Sequence, residues 1–150
     1  MKHAFKDYDP AIAVEIVKRF EGLRLDAYLC PAGIWTIGYG HTGGVQGGER
    51  ITEERAEELL MEDLKSVQRR LAPALEVPVT EGQAAALLSL AFNVGVSAVK
   101  GSKLLRRLNQ GLPEVAADEF LDWTRAGGRE LPGLVRRRRA ERDLFLREEP

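Results

Sequence analysis

The stretch from residue 80 to residue 95 constrains the fold more than any other part of the chain. Residues 80–83, Thr-Glu-Gly-Gln, have the spacing of a capping box, in which the first and fourth side chains bond each other's backbone N–H groups. The run over 84–94 is then apolar almost all round, as expected of a fully buried helix, and Gly95 ends it. The sequence therefore predicts a central helix in the core.

A second long helix is predicted over 52–72. Thr52 is a good N-cap, two glutamates follow in the first turn, and Pro73 ends the helix. Its apolar stripe consists of Ala56, Leu59, Leu60, Leu64, Val67 and Leu71. We expect it to connect a small lobe, residues 10–51, to a helical lobe, residues 73–150, with shorter helices over 102–109, 113–123 and 134–147.

The small lobe begins with a predicted helix from Pro10 to Gly22, in which apolar residues recur at helical spacing. Strands over 25–29 and 34–37 flank residues 30–33, a turn with proline second and glycine fourth. A two-stranded sheet of this size is not stable alone. The expected fold class is α+β.

Three side chains of this lobe suggest a catalytic site. Glu21 lies at the C-terminal end of its helix, where the macrodipole disfavours a second negative charge and so favours the protonated form that a general acid needs. Cys30 and Thr36 lie on the next two short elements, so the three side chains can converge. Gly38 and Gly40 follow, and glycines in a strand often mark close approach of a ligand or another backbone.

Other chemistries fit the residues less well. A cysteine protease pairing Cys30 with His41 would need an electropositive site at the thiol, yet Pro31 places that thiol in a hairpin turn. Two histidines cannot supply a zinc site, so no metal or cofactor is expected, and a carboxylate of the small lobe is expected to fix His41. Tyr39 could stack on a ligand or form the hairpin core.

The arginine run over 136–139 invites a nucleic-acid hypothesis. Successive side chains on a helix point about 100° apart, so the four arginines fan around it, and Glu141 is close enough to pair with some of them. A salt-bridged helix with one or two inward arginines is favoured, and the net charge of −1 gives no general attraction to nucleic acid.

The first residues lack the apolar region of a signal peptide, and no uncharged run approaches the roughly 20 residues of a membrane span. One cysteine cannot form an internal disulfide. We therefore expect a protein made in the cytoplasm, without stable membrane insertion.

Glu21 is followed after eight residues by Cys30 and after five more by Thr36, which opens the segment Thr-Ile-Gly-Tyr-Gly-His-Thr. This pattern resembles the phage-type lysozymes or endolysins, glycoside hydrolase family 24. Further landmarks in the same order are residues 91–95, residues 104–111, Trp123 and residues 133–145. The resemblance covers residues 10 to 147.

The resemblance implies a lysozyme-like fold, with a small N-terminal β-hairpin lobe joined by a long helix to a larger helical lobe and a cleft between them. It implies hydrolysis of the β-1,4 bond between N-acetylmuramic acid and N-acetylglucosamine in peptidoglycan, with inversion. Glu21 would be the general acid, and Cys30 and Thr36 would position or activate water. Asn93 would contact the saccharide, with Tyr39 and His41 as further candidates for substrate binding.

Several alternatives stay open at this point. An ordinary thiol is mostly neutral at pH 7, so Cys30 could be a base, a nucleophile or a water holder, and Asp26 is a competing carboxylate outside the motif. The chain could instead be a non-catalytic peptidoglycan-binding module or a lytic transglycosylase. The resemblance also implies a monomer that waits in the host cytoplasm until a holin releases it to the cell wall, and an arginine of the last helix near Glu21, without indicating which.

Overall fold

The computed structural model describes residues 1–148 and is built around helix α3 (Glu81–Val94). The capping box forms as predicted: Gln83 N donates to Thr80 Oγ1 at 3.1 Å, and Thr80 N donates to Gln83 Oε1 at 2.9 Å. Residues 82–91 are all buried, and Gly95, with a φ of 98°, ends the helix. The prediction of a central buried helix is confirmed.

Helix α2 (Glu53–Leu71) packs against α3. Arg55 N donates to Thr52 Oγ1 at 3.1 Å, which satisfies one of the free N–H groups of the first turn. Its buried residues are the six of the predicted stripe, and a 3₁₀ turn, Ala72–Ala74, ends it at Pro73. The amphipathic pattern therefore placed this helix correctly.

A short hairpin precedes α2. Helix α1 (Val14–Glu21) follows a 3₁₀ turn, Pro10–Ala13, and ends at Gly22, which has a φ of 70°. Strands β1 (Arg24–Leu29) and β2 (Trp35–Gly38) then pair antiparallel, with Tyr28 opposite Thr36. The predicted turn is closed by Gly33 N donating to Cys30 O at 2.8 Å.

Helix α1 does not stand apart with the hairpin, as the division into lobes at residue 10 suggested. Ala13 and Val17 have no exposed surface and join the core cluster that includes the side chains of α3, and the 3₁₀ turn before α1 packs on both α2 and α3. The hairpin therefore follows directly on a helix that packs in the main body of the fold. Glu21, the last residue of α1, stands where the body meets the hairpin.

The C-terminal part is helical except for one small hairpin. It contains α4 (Val96–Lys100), α5 (Lys103–Asn109), α6 (Pro113–Glu119) with a 3₁₀ turn (Phe120–Asp122), strands β3 (Arg125–Ala126) and β4 (Arg129–Glu130), and α7 (Pro132–Leu146), which packs along α3. The sequence pattern missed α4 and the hairpin. Gly95 is both the C-cap of α3 and the N-cap of α4, so one helix follows the other without a loop. Gly127 and Gly128 form a two-residue turn with φ of 60° and 79°.

Residues 149 and 150, the end of the expected helical lobe, lie outside the described part of the chain. Across residues 1–148, no helix combines the length and the apolar character that crossing a bilayer requires.

Candidate active site

The carboxylate of Glu21 is fixed by contacts on both of its oxygens. Oε2 accepts a hydrogen bond from Arg137 Nη1 at 2.6 Å, and the side chain is 20% exposed. Oε1 lies against Gly40 so closely that a Cβ added to that glycine would be 2.9 Å away. Gly40 has a φ of 84°, which favours glycine in any case. The sequence indicated a close approach at this glycine, and its partner is the carboxylate.

Arg137 is itself held by a buried network. Its Nη2 donates to the backbone oxygen of Ser89 at 3.2 Å, and its Nε donates to Glu141 Oε2 at 3.3 Å. Glu141 has no exposed surface and accepts a further bond from Ser89 Oγ at 2.5 Å. The guanidinium is therefore bonded on its inner edges, and Nη1 is the donor directed at Glu21.

Arg138 completes the network. It is fully buried, donates Nε to Trp123 O at 2.8 Å, and bonds Glu141 Oε1 and Asn93 Oδ1 through its two terminal nitrogens. Burial lowers the pKa of its guanidinium, and the neighbouring Glu141 opposes that shift. Of the run over 136–139, the second and third arginines are thus turned inward, as the helical geometry predicted.

Beside Glu21 lies an open pocket of about 610 Å³. Asn93 at the end of α3 forms one wall, and Leu131, Leu134 and Arg136 around the start of α7 form another. The exposed Arg19 of α1 lines its rim, with the guanidinium carbon 4.8 Å from the centroid of the Phe20 ring. A saccharide entering this pocket would therefore meet a carboxyl group and an asparagine side chain.

Cys30 and Thr36 are brought together at the far end of the hairpin. Thr36 is buried and donates Oγ1 to the backbone oxygen of Ile34 at 2.9 Å. Hydrogen bonding from the main chain at Ile34 is the main cause that lowers the pKa of the Cys30 thiol below its usual range; partial burial opposes it, and hydrogen bonding at Ala32 and Thr36 adds to it. The pair offers a hydroxyl beside a thiol that is more acidic than an ordinary cysteine.

Strand β2 connects the two halves of the site. Thr36 is its second residue, and the turn that follows is closed by Ile37 and His41, whose N–H groups each bond the other's carbonyl oxygen at 2.9 Å. Gly40 lies in that closed turn, against Glu21. One short strand and its turn therefore place the Thr36 hydroxyl and support the Glu21 carboxylate.

His41 has a structural partner at each ring nitrogen. Nδ1 lies 2.8 Å and 3.0 Å from the two oxygens of Asp63, and Nε2 lies 3.0 Å from the backbone oxygen of Gly43. A carboxylate does hold this histidine, as expected. It comes from α2, however, and not from the small lobe, so His41 ties the loop after β2 to the connecting helix.

Two other candidates from the sequence have contacts that point away from substrate. Tyr39 is buried in the core cluster, and Lys18 Nζ lies 5.2 Å from the centroid of its ring. Asp26, the competing carboxylate, is exposed on β1 and accepts two bonds from Arg50, at 2.7 Å and 2.8 Å. That pairing occupies both of its oxygens.

Sequence reasoning did not identify Ser89 or Glu141 as part of the site. A signal existed for Ser89, because it is a hydroxyl within a helix that is otherwise apolar on all faces. Glu141 resembled an ordinary partner for surface arginines, and its burial depends on α7 packing against α3.

Comparison with known proteins relates the chain to one family. Residues 18–141 match the family model described as phage lysozyme. The endolysin of Acyrthosiphon pisum secondary endosymbiont phage 1 is 48% identical over 134 residues, which is 87% of this chain and 92% of the relative.

Two solved structures are similar over most of the chain. The muramidase domain of SpmX from Asticaccaulis excentricus superposes with a TM-score of 0.85 at 41% identity and covers 91% of this chain and 95% of its own. A mutant of P22 lysozyme superposes with a TM-score of 0.81 at 45% identity and covers 90% of this chain and 95% of its own.

Proposed function

The chain belongs to the phage lysozyme family, and from that premise we propose that it is a muramidase that cleaves the β-1,4 bond between N-acetylmuramic acid and N-acetylglucosamine in bacterial peptidoglycan. It is a glycoside hydrolase of the lysozyme type. The similar structures, a muramidase domain and a lysozyme, support the reaction, and the endolysin relative supports lysis of the bacterial cell wall as its result.

The observation that carries the proposal is the Glu21 carboxyl, presented to an open pocket and held by a buried arginine. As general acid, Glu21 gives its proton to the glycosidic oxygen while the bond from that oxygen to the anomeric carbon breaks. The sugar then develops the oxocarbenium character of glycosidase transition states.

Arg137 supports the charge that develops on Glu21 during this step. Its Nη1 lies 2.6 Å from Glu21 Oε2, where it stabilises the carboxylate that forms as the proton leaves. Fixed electrostatic support of this kind lowers a reaction barrier.

Cys30 and Thr36 bind and activate the water that attacks from the other face of the sugar. The Thr36 hydroxyl donates to Ile34, which leaves its oxygen lone pairs to accept a bond from that water. The lowered pKa of the Cys30 thiol raises the fraction present as thiolate, which can accept the proton that the attacking water loses. Attack from that face inverts the anomeric centre.

Asn93 is the substrate contact that the structure favours among the three proposed. Its side-chain oxygen accepts from Arg138, so the amide N–H₂ group is the part available to the saccharide. Tyr39 and His41 act indirectly, through the turn and loop that they anchor. We further propose that the enzyme acts as a monomer, and that a holin opens its way from the host cytoplasm to the cell wall.

The test is Glu21→Gln, with Glu15→Gln on the exposed part of the same helix as the control. On purified peptidoglycan, Glu21→Gln should fold normally and release new reducing ends at a rate roughly 10²–10⁴-fold below wild type, because it cannot donate the proton. Glu15→Gln should match wild type. Wild-type activity in Glu21→Gln would contradict the role of Glu21.

Mass spectrometry of the wild-type products separates the remaining alternatives. Hydrolysis adds one water across the bond and yields a reducing muramic acid. A 1,6-anhydro product would identify a lytic transglycosylase instead, and binding to peptidoglycan without any product would identify a non-catalytic module.

A further inference from the structure

Glu141 is a fully buried carboxylate that no step of the proposed reaction uses. Removing a charge from water is strongly unfavourable unless partners compensate for the lost hydration. The charge of Glu141 is compensated by a hydrogen bond from Ser89 and by two arginines of its own helix, Arg137 and Arg138. Arg137 also forms an ion pair with Glu21. The position of Glu141 therefore connects it to the reacting carboxyl through a single side chain.

The charges of this network explain why a buried carboxylate is useful there. Arg137 and Arg138 contribute two positive charges, and Glu141 and Glu21 contribute two negative charges when both are ionised. Apart from Glu21 itself, Glu141 leaves this pair of arginines with one unbalanced positive charge, and without Glu141 there would be two. Glu141 therefore shares the charge of Arg137 with Glu21.

The hydrogen bonds give the same carboxylate a role in orientation. Glu141 Oε2 accepts from Arg137 Nε, and the Ser89 hydroxyl bonds both that oxygen and Arg137 Nη2, the latter at 3.3 Å. These contacts leave Arg137 one orientation, with Nη1 toward Glu21. Arg137 is 3% exposed and has no room for the alternatives that a surface arginine would sample.

We propose that Glu141, oriented by Ser89, is a positioning residue for the general acid: it fixes Arg137 against Glu21 and shares its charge, so that the Glu21 carboxyl is held at the pocket without facing the full charge of Arg137. The inference rests on the proposed function. The other charged groups that line the pocket are Arg19 of α1 and Arg136 of α7, and both are exposed. The residue that α3 contributes to the pocket is Asn93, which does not titrate.

The test is Glu141→Gln, which keeps the shape of the side chain and removes its charge. On soluble, uncrosslinked glycan strands, kcat should fall by about tenfold to 100-fold while KM stays within about twofold, because Glu141 touches the acid's partner and not the substrate. Equal kcat in a folded variant, or a loss that appears as a raised KM, would overturn the proposal.

Asp118→Asn is the matched control. Asp118 accepts two bonds from Arg142, also on α7, at 2.8 Å and 3.0 Å, but on the exposed side. This variant removes a carboxylate partner of α7 without reaching Glu21, and its kcat and KM should equal those of wild type. If Glu141→Gln does not fold, Ser89→Ala replaces it: every charge remains, and a several-fold loss of kcat is expected, whereas wild-type kcat would overturn the proposal.

A measurement of stability separates this inference from the proposed function. Glu21→Gln, Glu141→Gln and the double variant are unfolded with urea, which requires no enzymatic activity. Because both carboxylates neutralise Arg137, the double variant should lose more stability than the two single losses added together. Additive losses would overturn the shared-charge argument even in an active muramidase. Absence of any product from wild type would refute the function and leave this coupling intact.

Discussion

Gly40→Ala provides the sharpest test of how the fold supports Glu21. The substitution adds one methyl group at a position where two separate constraints apply. The backbone has a φ of 84°, which residues other than glycine rarely adopt, and the new Cβ would lie 2.9 Å from Glu21 Oε1. The first constraint acts on stability and the second on the reacting group.

The structure gives a magnitude for each effect. Forcing alanine into the left-handed region costs about 1–2 kcal/mol of folding free energy. An ordinary contact with Cβ begins near 3.4 Å, so the carboxylate oxygen must move by about 0.5 Å. It lies at the end of a flexible side chain, so the movement adds little to the loss of stability. A displacement of about 1 Å can cost 10²-fold in rate, so half of that predicts about a tenfold fall in kcat.

Gly48→Ala is the control, because it introduces the same backbone strain at a positive φ without a contact to Glu21. Gly48 has a φ of 88°, and a Cβ built there meets nothing within 4 Å. Urea unfolding should show similar losses of stability for the two variants. Release of reducing ends from peptidoglycan, measured well below both unfolding midpoints, should fall about tenfold in Gly40→Ala alone. Equal activity in the two variants would refute the idea that Gly40 sets the position of Glu21.

Two further predictions concern the thiol and the core. Alkylation of Cys30, the only cysteine, by iodoacetamide should rise with pH at a midpoint below that of the urea-unfolded chain, because main-chain hydrogen bonding at Ile34 lowers the thiol pKa and only the thiolate reacts; coincident midpoints would contradict this. Gly82→Ala should lower the free energy of unfolding by about 1–3 kcal/mol, because its Cβ would lie 2.3 Å from the backbone oxygen of Leu144. Urea unfolding measures the loss against Gly101→Ala, where the nearest atom is 3.9 Å away, and equal stability in the two would show that α3 and α7 can separate freely.

Local patterns were sufficient for the main elements of the fold. The capping box of residues 80–83, the apolar run behind it and the stripe of α2 all act within a few residues of each other, so they can be recognised before any tertiary contact is known. The same holds for the position of Glu21 at a helix terminus and for the turn at Cys30. Local patterns failed at Gly95 and at residues 127–128, where a glycine continues the chain into another element as readily as it ends one.

The motif of Glu21, Cys30 and Thr36 also came from the sequence, because its spacing is carried by three adjacent elements. What the spacing left open was the surroundings of each group. Tyr39 and His41 were further candidates for substrate binding; the structure buries Tyr39 in the core cluster and pairs His41 with Asp63 of α2.

Only the tertiary structure decided how Glu21, the proposed general acid, is held. Arg137 is separated from Glu21 by 116 residues, and Ser89 from Glu141 by 52. Nothing in the sequence distinguishes the four consecutive arginines from one another. The rotation of α7 against α3 determines which of them forms the ion pair with Glu21. The sequence by itself therefore indicated the proposed acid on its helix and the thiol in its hairpin turn. The fold selected Arg137 and Glu141, because a buried charge depends on which side chains packing brings within hydrogen-bonding distance.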